Sequence, residues 1–258
     1  MLTRQQLEII NKKSLKYPLQ VAEKDYLLAL VLQVISDSKL GKALVFKGGT
    51  AIHHCYLEQT RFSEDLDFSA NQKPVTLDAV REIFTDIDYL QIKKDYLSEA
   101  TIKIEKLQYI GPLVHPNFLK VEVDFLQNVV LPPKSFAYKN VWGLEYDALV
   151  MDLREICAEK IRAISDRARY RDFYDLYLIL YNHNIDLTEV VELIKQKEIR
   201  HSIAKSSMDK NWKIVLTQKV KEMEQIYYSR QVGDADIENM IRLLPLVEIK
   251  QSGQEDKG

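Results

Sequence analysis

Two aspartates separated by one residue, Asp65 and Asp67, have a spacing that suits a cation site. They lie in the segment RFSEDLDFS, where Leu66 and Phe68 alternate with them, as in a strand with one buried face. Residues i and i+2 of a strand project from the same face, with Cα atoms roughly 6.5–7 Å apart. The pattern therefore predicts a strand that presents two carboxylates side by side.

A second acidic pair follows in the segment VEVDF, where Glu122 and Asp124 share the face opposite three apolar residues. If the two strands are neighbours, three or four carboxylates converge. Two carboxylates ~5 Å apart repel by about 3 kcal/mol at an effective dielectric near 20, and a divalent cation reverses the sign. Because hard oxygen ligands favour magnesium or manganese over zinc, we expect Mg²⁺ or Mn²⁺ to bind where these carboxylates meet, with Asp65 and Asp67 among its ligands.

The glycine pair Gly48-Gly49 lies between a predicted short strand, ALVF, and a predicted helix that begins at Thr50. Glycines let a phosphate approach the backbone, and Thr50 can donate its hydroxyl at a helix N-terminus. Lys47 and Arg61 add positive charge nearby. Alone, a Gly-Gly turn or an Asp-x-Asp strand is more often structural. Together, and without a GxxxxGK[ST] or Rossmann glycine fingerprint, these motifs indicate a metal–nucleotide site.

The elements that position these motifs divide the chain into two parts. Predicted strands and helices alternate through residue 148, including a core helix over residues 21–36 and another over residues 77–88. From Leu149 onward, apolar residues recur at helical intervals. We expect an α/β (α+β) domain with a mixed sheet, then an all-helical domain and a disordered tail, over residues 1–148, 149–250 and 251–258.

Composition narrows the class of protein. The 258 residues include 36 Lys and Arg against 38 Asp and Glu, and the formal charge of -2 argues against a uniformly basic nucleic-acid-coating protein. The two cysteines, Cys55 and Cys157, are isolated, which fits a reducing cytoplasm better than a disulfide framework. No stretch approaches the ~20 apolar residues that cross a bilayer, so we expect a cytoplasmic protein without a membrane partner.

In the C-terminal half, Lys160 interrupts the apolar stripe of a predicted helix, one turn from two isoleucines. Such a lysine either extends outward and buries only its stem, or directs its ammonium at an anion. Arg167 and Arg171 extend the same face, and the segment RDFYD adds Asp172 and Asp175. Spacing alone does not choose between the two aspartates.

A run of basic residues from Lys195 to Lys221 is the candidate surface for an RNA backbone, although such runs are usually solvated helix faces. Trp212 lies within this run. It could stack on a base, but a tryptophan at such a position is more often part of a core.

The segment FKGGTAIHHCYLEQTRFSEDLDFS resembles the signature of AbiEii-like nucleotidyltransferases, the toxins of type IV toxin–antitoxin and phage-abortive systems. The resemblance continues in KVEVDF and in LREICAEKIRAISDRARYRDFYDLYLI. It implies a core like that of DNA polymerase β, in which Gly49 and Thr50 hold the triphosphate and Asp65 and Asp67 bind magnesium. Asp124 falls where such cores commonly place a third carboxylate.

The same resemblance matches Lys160 and Asp172 to a later lysine and aspartate of the family. It implies that Lys160 contacts the triphosphate in a cleft between the domains. Asp172 would orient Lys160 or Arg171, or help to activate the acceptor hydroxyl, with Asp175 as the alternative.

The activity implied by the resemblance is transfer of a nucleoside monophosphate from an NTP to an acceptor hydroxyl. The expected acceptor is the 3′ end of tRNA, and the expected outcome is growth arrest countered by a separate antitoxin. Two alternatives stay open: a small-molecule nucleotidyltransferase of the antibiotic-modifying kind, and a nucleotide-binding protein that has lost catalysis. An acidic pocket would favour the first, and NTP binding without turnover would favour the second.

Overall fold

The computed structural model describes residues 1–71 and 74–250. The chain divides into two compact units, of which the first is Met1–Met151 and the second begins at Asp152. The domain boundary near residue 148 stays a prediction, and the tail over residues 251–258 lies outside the described residues. None of the described helices is both long and apolar enough to cross a membrane.

The first unit is built on a mixed sheet. Its strands are β1 (Leu44–Lys47), β2 (Asp65–Ala70), β3 (Leu90–Leu97), β4 (Thr101–Ile110), β5 (Pro116–Asp124), β6 (Lys134–Ala137) and β7 (Asp147–Val150). They lie in the order β3-β4-β5-β2-β1-β7-β6. The strand β2 pairs in parallel with β5 and antiparallel with β1, so the expected mixed sheet is confirmed.

Apolar alternation decides which face of this sheet is buried. Leu66 and Phe68 of β2 and Val121 and Val123 of β5 are buried in the core. Their neighbours in sequence project from the opposite face, because successive residues of a strand alternate. The acidic residues of both motifs therefore lie on one side of two adjacent strands.

The helices of the first unit are α1 (Arg4–Lys13), α2 (Leu19–Asp37), α3 (Gly48–Ala51) and α4 (Leu77–Glu82). The helix α2 confirms the predicted core helix, and its apolar residues are buried on most sides. The chain after α3 continues as a π-helical turn, Ile52–Tyr56, where a plain helix was expected. The helix predicted over residues 77–88 ends at Glu82, and turns follow it where Asp86 and Asp88 favour them.

The second unit contains α5 (Leu153–Asp166), α6 (Tyr170–Asn182), α7 (Leu187–Lys195), α8 (Lys205–Gln225) and α9 (Asp234–Leu243). An isolated antiparallel bridge also joins Ile203 and Ile249, so an all-helical unit is not confirmed. Trp212 is buried, with its ring centroid 5.1 Å from that of Phe173. Its indole nitrogen donates to Glu238, and the core interpretation of this tryptophan is therefore the one observed.

Candidate active site

The register of three strands brings the acidic motifs together. Asp67 of β2 lies opposite Lys47 of β1 and opposite Glu122 of β5. Burial, together with the negative charges of Asp65 and Glu122, raises the pKa of Asp67 to about 6 against the opposing charges of Lys47 and Lys120. Ionisation of Asp67 is therefore unfavourable without a compensating positive charge, and a cation bound beside it would supply that charge.

The donor set fits magnesium, because Asp65 and Asp67 supply hard carboxylate oxygens from one face of β2. A divalent cation would also remove the repulsion that contributes to the raised pKa of Asp67. Among the described residues, no group of three or more His, Cys, Asp or Glu side chains is already arranged around a point that an ion could occupy. Magnesium at this pair therefore remains a proposal.

Asp124, the expected third ligand, forms contacts with the turn after β5 and with Lys47. Its Oδ1 accepts hydrogen bonds from the backbone N–H groups of Leu126 and Gln127, both at 3.0 Å. Its Oδ2 lies 3.4 Å from Nζ of Lys47. In the register of β2 and β5, Asp124 lies opposite Ser69, whereas Glu122 lies opposite Asp67. The residue beside the aspartate pair is thus Glu122, and Asp124 caps the turn after β5 and holds Lys47.

Gly48 allows the glycine pair to touch the acidic strand. Its φ of +78° is a conformation that residues with a side chain rarely adopt. A Cβ at this position would lie only 2.6 Å from Oδ2 of Asp67. The glycine is therefore required both by the backbone conformation and by the close approach of the carboxylate.

Thr50 joins the same two motifs through its hydroxyl. The side chain is 1% exposed, and its Oγ1 donates a 2.6 Å hydrogen bond to the backbone carbonyl of Asp65. The expected donation from Thr50 to a phosphate would require this bond to be given up. In the observed arrangement, Thr50 fixes the position of Asp65.

Arg61 is packed against the second glycine. A Cβ on Gly49 would lie 2.3 Å from Nη2 of Arg61 and 2.8 Å from Oγ of Ser63. Arg61 is 2% exposed, and its Nη1 donates to the carbonyl of Phe62. Arg61 therefore brings its positive charge to the backbone of Gly49, and its contact with a triphosphate stays a prediction.

A buried polar network that the sequence analysis missed supports the π-helical turn. Asp25 of α2 accepts hydrogen bonds from Trp142 at 2.8 Å and from Gln59 at 2.6 Å. His54 of the turn donates through Nδ1 to the carbonyl of Lys139, and its Nε2 lies 3.9 Å from Asp25. Burial raises the pKa of Asp25 and lowers that of His54. The sequence feature that could have indicated this network is Asp25, an acidic residue among the buried apolar residues of α2.

In the second unit, Lys160 directs its ammonium at two carboxylates. Its Nζ lies 2.9 Å from Oδ1 of Asp172 and 2.7 Å from Oδ2 of Asp175. Arg167 donates to Asp172 at 2.8 Å, so the aspartate contacts Arg167 where Arg171 had been considered. Burial alone would raise the pKa of Asp172, but Lys160 and Arg167 outweigh it and hold that pKa below its ordinary value. The two aspartates thus act together on one lysine.

The basic run from Lys195 to Lys221 does not form one open cationic surface. Lys197 is buried and pairs with Glu155 at 2.6 Å. Lys219 pairs with Asp234 at 2.5 Å and lies over the ring of Tyr170. Several of the charges expected to contact RNA are therefore used inside the second unit. Exposed lysines of α8 are Lys210, Lys213 and Lys221.

Comparisons with known proteins point to one enzyme family. A family model described as "Nucleotidyl transferase AbiEii toxin, Type IV TA system" matches residues 30–251. MenT4, a nucleotidyltransferase toxin from Mycobacterium tuberculosis H37Rv, is 24% identical with a TM-score of 0.59, covering 85% of this chain and 73% of its own. JHP933 from Helicobacter pylori is 19% identical with a TM-score of 0.56, covering 87% of this chain and 91% of its own. Curated protein sequences gave no match.

Proposed function

We propose a reaction for this chain, which belongs to the AbiEii family of nucleotidyl transferase toxins from type IV toxin–antitoxin systems. The chain is a nucleotidyltransferase, and its family implies an NTP substrate and a cognate antitoxin. In the proposed reaction, an acceptor hydroxyl attacks the α-phosphate of a bound NTP. A nucleoside monophosphate is transferred to that hydroxyl, and pyrophosphate leaves.

The observation that carries this proposal is the double contact between the GGT segment and the DLD strand. Gly48 packs against the carboxylate of Asp67, and Thr50 is bonded to the carbonyl of Asp65. The glycine pair and the two carboxylates that we propose as metal ligands are thereby held in one arrangement. Phosphoryl transfer depends chiefly on such positioning and on charge neutralisation.

Asp65 and Asp67 are the proposed ligands of Mg²⁺ or Mn²⁺. When bound, the cation would neutralise charge on the phosphate oxygens as pyrophosphate departs. Lys47 and Arg61 place positive charge at the two ends of the glycine pair, where the triphosphate is proposed to lie. We assign Asp124 to the positioning of Lys47, since both of its oxygens already have partners.

The proposed contribution of the second unit is the Lys160 cluster. We propose that Lys160 contacts the triphosphate and that Asp172 and Asp175 orient its ammonium. The hydrogen bonds at 2.9 Å and 2.7 Å support the orienting role of both aspartates. A lysine held between two fixed carboxylates keeps its charge in one place, as a phosphate contact requires.

The proposed acceptor is the 3′ end of an RNA, with tRNA as the first candidate, and the proposed outcome is growth arrest. A small-molecule acceptor of the antibiotic-modifying kind uses the same core, but the toxin family favours a cellular target. A catalytically silent nucleotide-binding protein would not need a costly pair of carboxylates beside a glycine turn.

The test is incubation of the purified protein with each α-³²P-labelled NTP, magnesium or manganese, and total RNA or tRNA. We expect one or more NTPs to label RNA, and Asp67→Asn to lower the rate by at least about 100-fold. The matched control is Asp86→Asn, which removes an exposed carboxylate elsewhere in the first unit and should leave the rate unchanged. Absence of label transfer with every NTP and both metals would overturn the proposal.

A further inference from the structure

A straight row of side chains leads away from the proposed metal site across the sheet. Strand register places Lys47 opposite Asp67, Asp67 opposite Glu122, Glu122 opposite Lys103, and Lys103 opposite Tyr96. Neighbouring strands lie ~4.8 Å apart, so the three steps from Asp67 to Tyr96 span roughly 14 Å. The face of β5, β4 and β3 is thus continuous with the acidic site.

The side chains on this face are predominantly basic. Glutamates pair with some of its lysines: Lys94 with Glu105 at 2.6 Å, and Lys103 with Glu122 at 2.9 Å. Lys120 is 3.8 Å from Glu122, which it shares with Lys103. Together with the exposed Lys106, four lysines stand against two glutamates, and Asp124 at the end of β5 on the same face pairs with a fifth lysine, Lys47 of β1. The lysines of the face therefore outnumber its glutamates, and this excess positive charge is complementary to a phosphate backbone.

Two aromatic rings of the same face are exposed to solvent. Tyr96 is 40% exposed and Phe118 is 39% exposed. The ammonium of Lys103 lies 6.0 Å from the Tyr96 ring, and that of Lys106 lies 5.7 Å from the Phe118 ring. Exposed rings beside lysines on a sheet suit single-stranded nucleic acid, because bases stack on the rings while the cations contact phosphates.

The basic helix α8 lacks this combination. Trp212 is buried in the core of the second unit and does not present its ring to solvent. Lys219 is committed to Asp234 and to the ring of Tyr170. Of the two basic regions considered, the sheet therefore offers rings and cations together, and α8 offers cations alone.

We propose that single-stranded RNA binds this lysine–aromatic face, defined as Tyr96, Phe118 and the lysines Lys94, Lys103, Lys106 and Lys120. The bases stack on the two rings, and the 3′ hydroxyl of the strand reaches Asp65 and Asp67. At the ~3.4 Å rise of a stacked strand, the roughly 14 Å from Asp67 to Tyr96 accommodates about four nucleotides, and Phe118 lies beside this row, four residues along β5 from Glu122. This inference rests on the proposed transfer to RNA and adds where the acceptor strand lies.

The experiment measures fluorescence anisotropy of a 5′-fluorescein-labelled, 12-nucleotide single-stranded RNA titrated with the full chain. Tyr96→Ala and Phe118→Ala should each weaken binding about tenfold, the effect of losing one stacked base. Lys106→Ala should weaken binding at low salt and reduce the slope of log K against log salt by about one. Because Lys106 is exposed, this variant also tests the face without disturbing the core.

The matched controls lie on α8. Leu216 is 40% exposed, like Phe118, and Lys213 is an exposed lysine, so Leu216→Ala and Lys213→Ala remove similar groups elsewhere. Both should bind the RNA within about twofold of wild type. Thermal melting of every variant with magnesium and NTP should match wild type, since the proposed nucleotide contacts are untouched.

The outcomes separate this inference from the proposed reaction. Equal RNA binding by the wild type and the sheet variants, or weakening confined to the α8 controls, overturns the lysine–aromatic face. The reaction would then still stand on magnesium-dependent NTP binding. A wild type that binds magnesium–NTP but no RNA also overturns the face and leaves a non-RNA acceptor. A wild type that binds neither overturns both proposals.

Discussion

Thr50 donates its hydroxyl hydrogen to the backbone carbonyl of Asp65 at 2.6 Å. The bond joins the residue that follows the glycine pair to the first residue of β2. Gly48 makes the companion contact with Asp67, one residue further along that face. The GGT segment and the DLD strand, fifteen residues apart in sequence, are therefore in direct contact. A substitution that displaces one of them should displace the other.

Thr50→Val should weaken the site although the side chain keeps its shape. Valine leaves the Asp65 carbonyl without its donor, and an unsatisfied buried polar group costs about 1–3 kcal/mol of unfolding free energy. We expect a lower midpoint in urea and a weaker affinity for magnesium–NTP. Thr50→Ser keeps the hydroxyl and should recover most of both. Wild-type stability and affinity in Thr50→Val would show that the bond does not position Asp65.

Gly48→Ala and Gly143→Ala form a matched pair, because their φ angles are +78° and +77°. Both substitutions incur the left-handed backbone cost of about 1–2 kcal/mol. A Cβ on Gly143 meets nothing within 4 Å, whereas one on Gly48 displaces the carboxylate of Asp67. Only Gly48→Ala should lose stabilisation by magnesium–NTP in thermal melting. Equal responses of the two variants would contradict the close-contact role of Gly48.

The raised pKa of Asp67 predicts how stability depends on pH without metal. The folded state holds this proton up to about pH 6, whereas an unfolded aspartate releases it near 3.8. The free energy of unfolding should therefore fall as pH rises from about 4 to about 6, by about 2–3 kcal/mol. Asp67→Asn should remove this fall and be the more stable protein at pH 7.5.

The measurement for this pH prediction is urea unfolding across that pH range, with Asp86→Asn as the control for loss of an exposed carboxylate. Magnesium should stabilise the wild type above pH 6 and have less effect on Asp67→Asn. Parallel stability curves for wild type and Asp67→Asn would contradict the electrostatic account of the site.

Lys160→Met should destabilise the second unit, because it leaves Asp172 and Asp175 buried without their shared lysine. Breaking a buried ion pair in this way costs about 3–5 kcal/mol. Adding Asp172→Asn and Asp175→Asn should recover much of that stability but not the transferase activity. Calorimetric melting and label transfer measure the two effects. A triple variant no more stable than Lys160→Met would argue against a stabilising network.

The alternating sequence of β2 was sufficient to predict which face carries Asp65 and Asp67. It was not sufficient to predict the neighbour of Asp67, because register between distant strands is set by the packing of the whole sheet. The register observed brings Glu122 beside Asp67 and leaves Asp124 to the turn after β5. The role of third metal ligand expected of Asp124 therefore stays a prediction, and Glu122 is the residue paired with Asp67.

Several other elements could not be predicted from the apolar pattern of their own residues. The strand β3 is polar on both faces, and the strands β6 and β7 are only four residues long, so neither alternation nor length marked them. The π-helical turn depends on contacts of His54 with a distant backbone segment and with Asp25. Such long-range contacts are absent from any local window of sequence, and they override its helical pattern.

The most direct test of the central claim is thermal melting with ATP, GTP, CTP and UTP, each with and without magnesium. A ligand at ~100 times its dissociation constant adds about 2.7 kcal/mol, or several degrees for a chain of this size. We predict a magnesium-dependent rise for at least one NTP, abolished in Asp67→Asn and retained in Asp124→Asn. No rise with any NTP, or the same rise in Asp67→Asn, would contradict a metal–nucleotide site at this pair of aspartates.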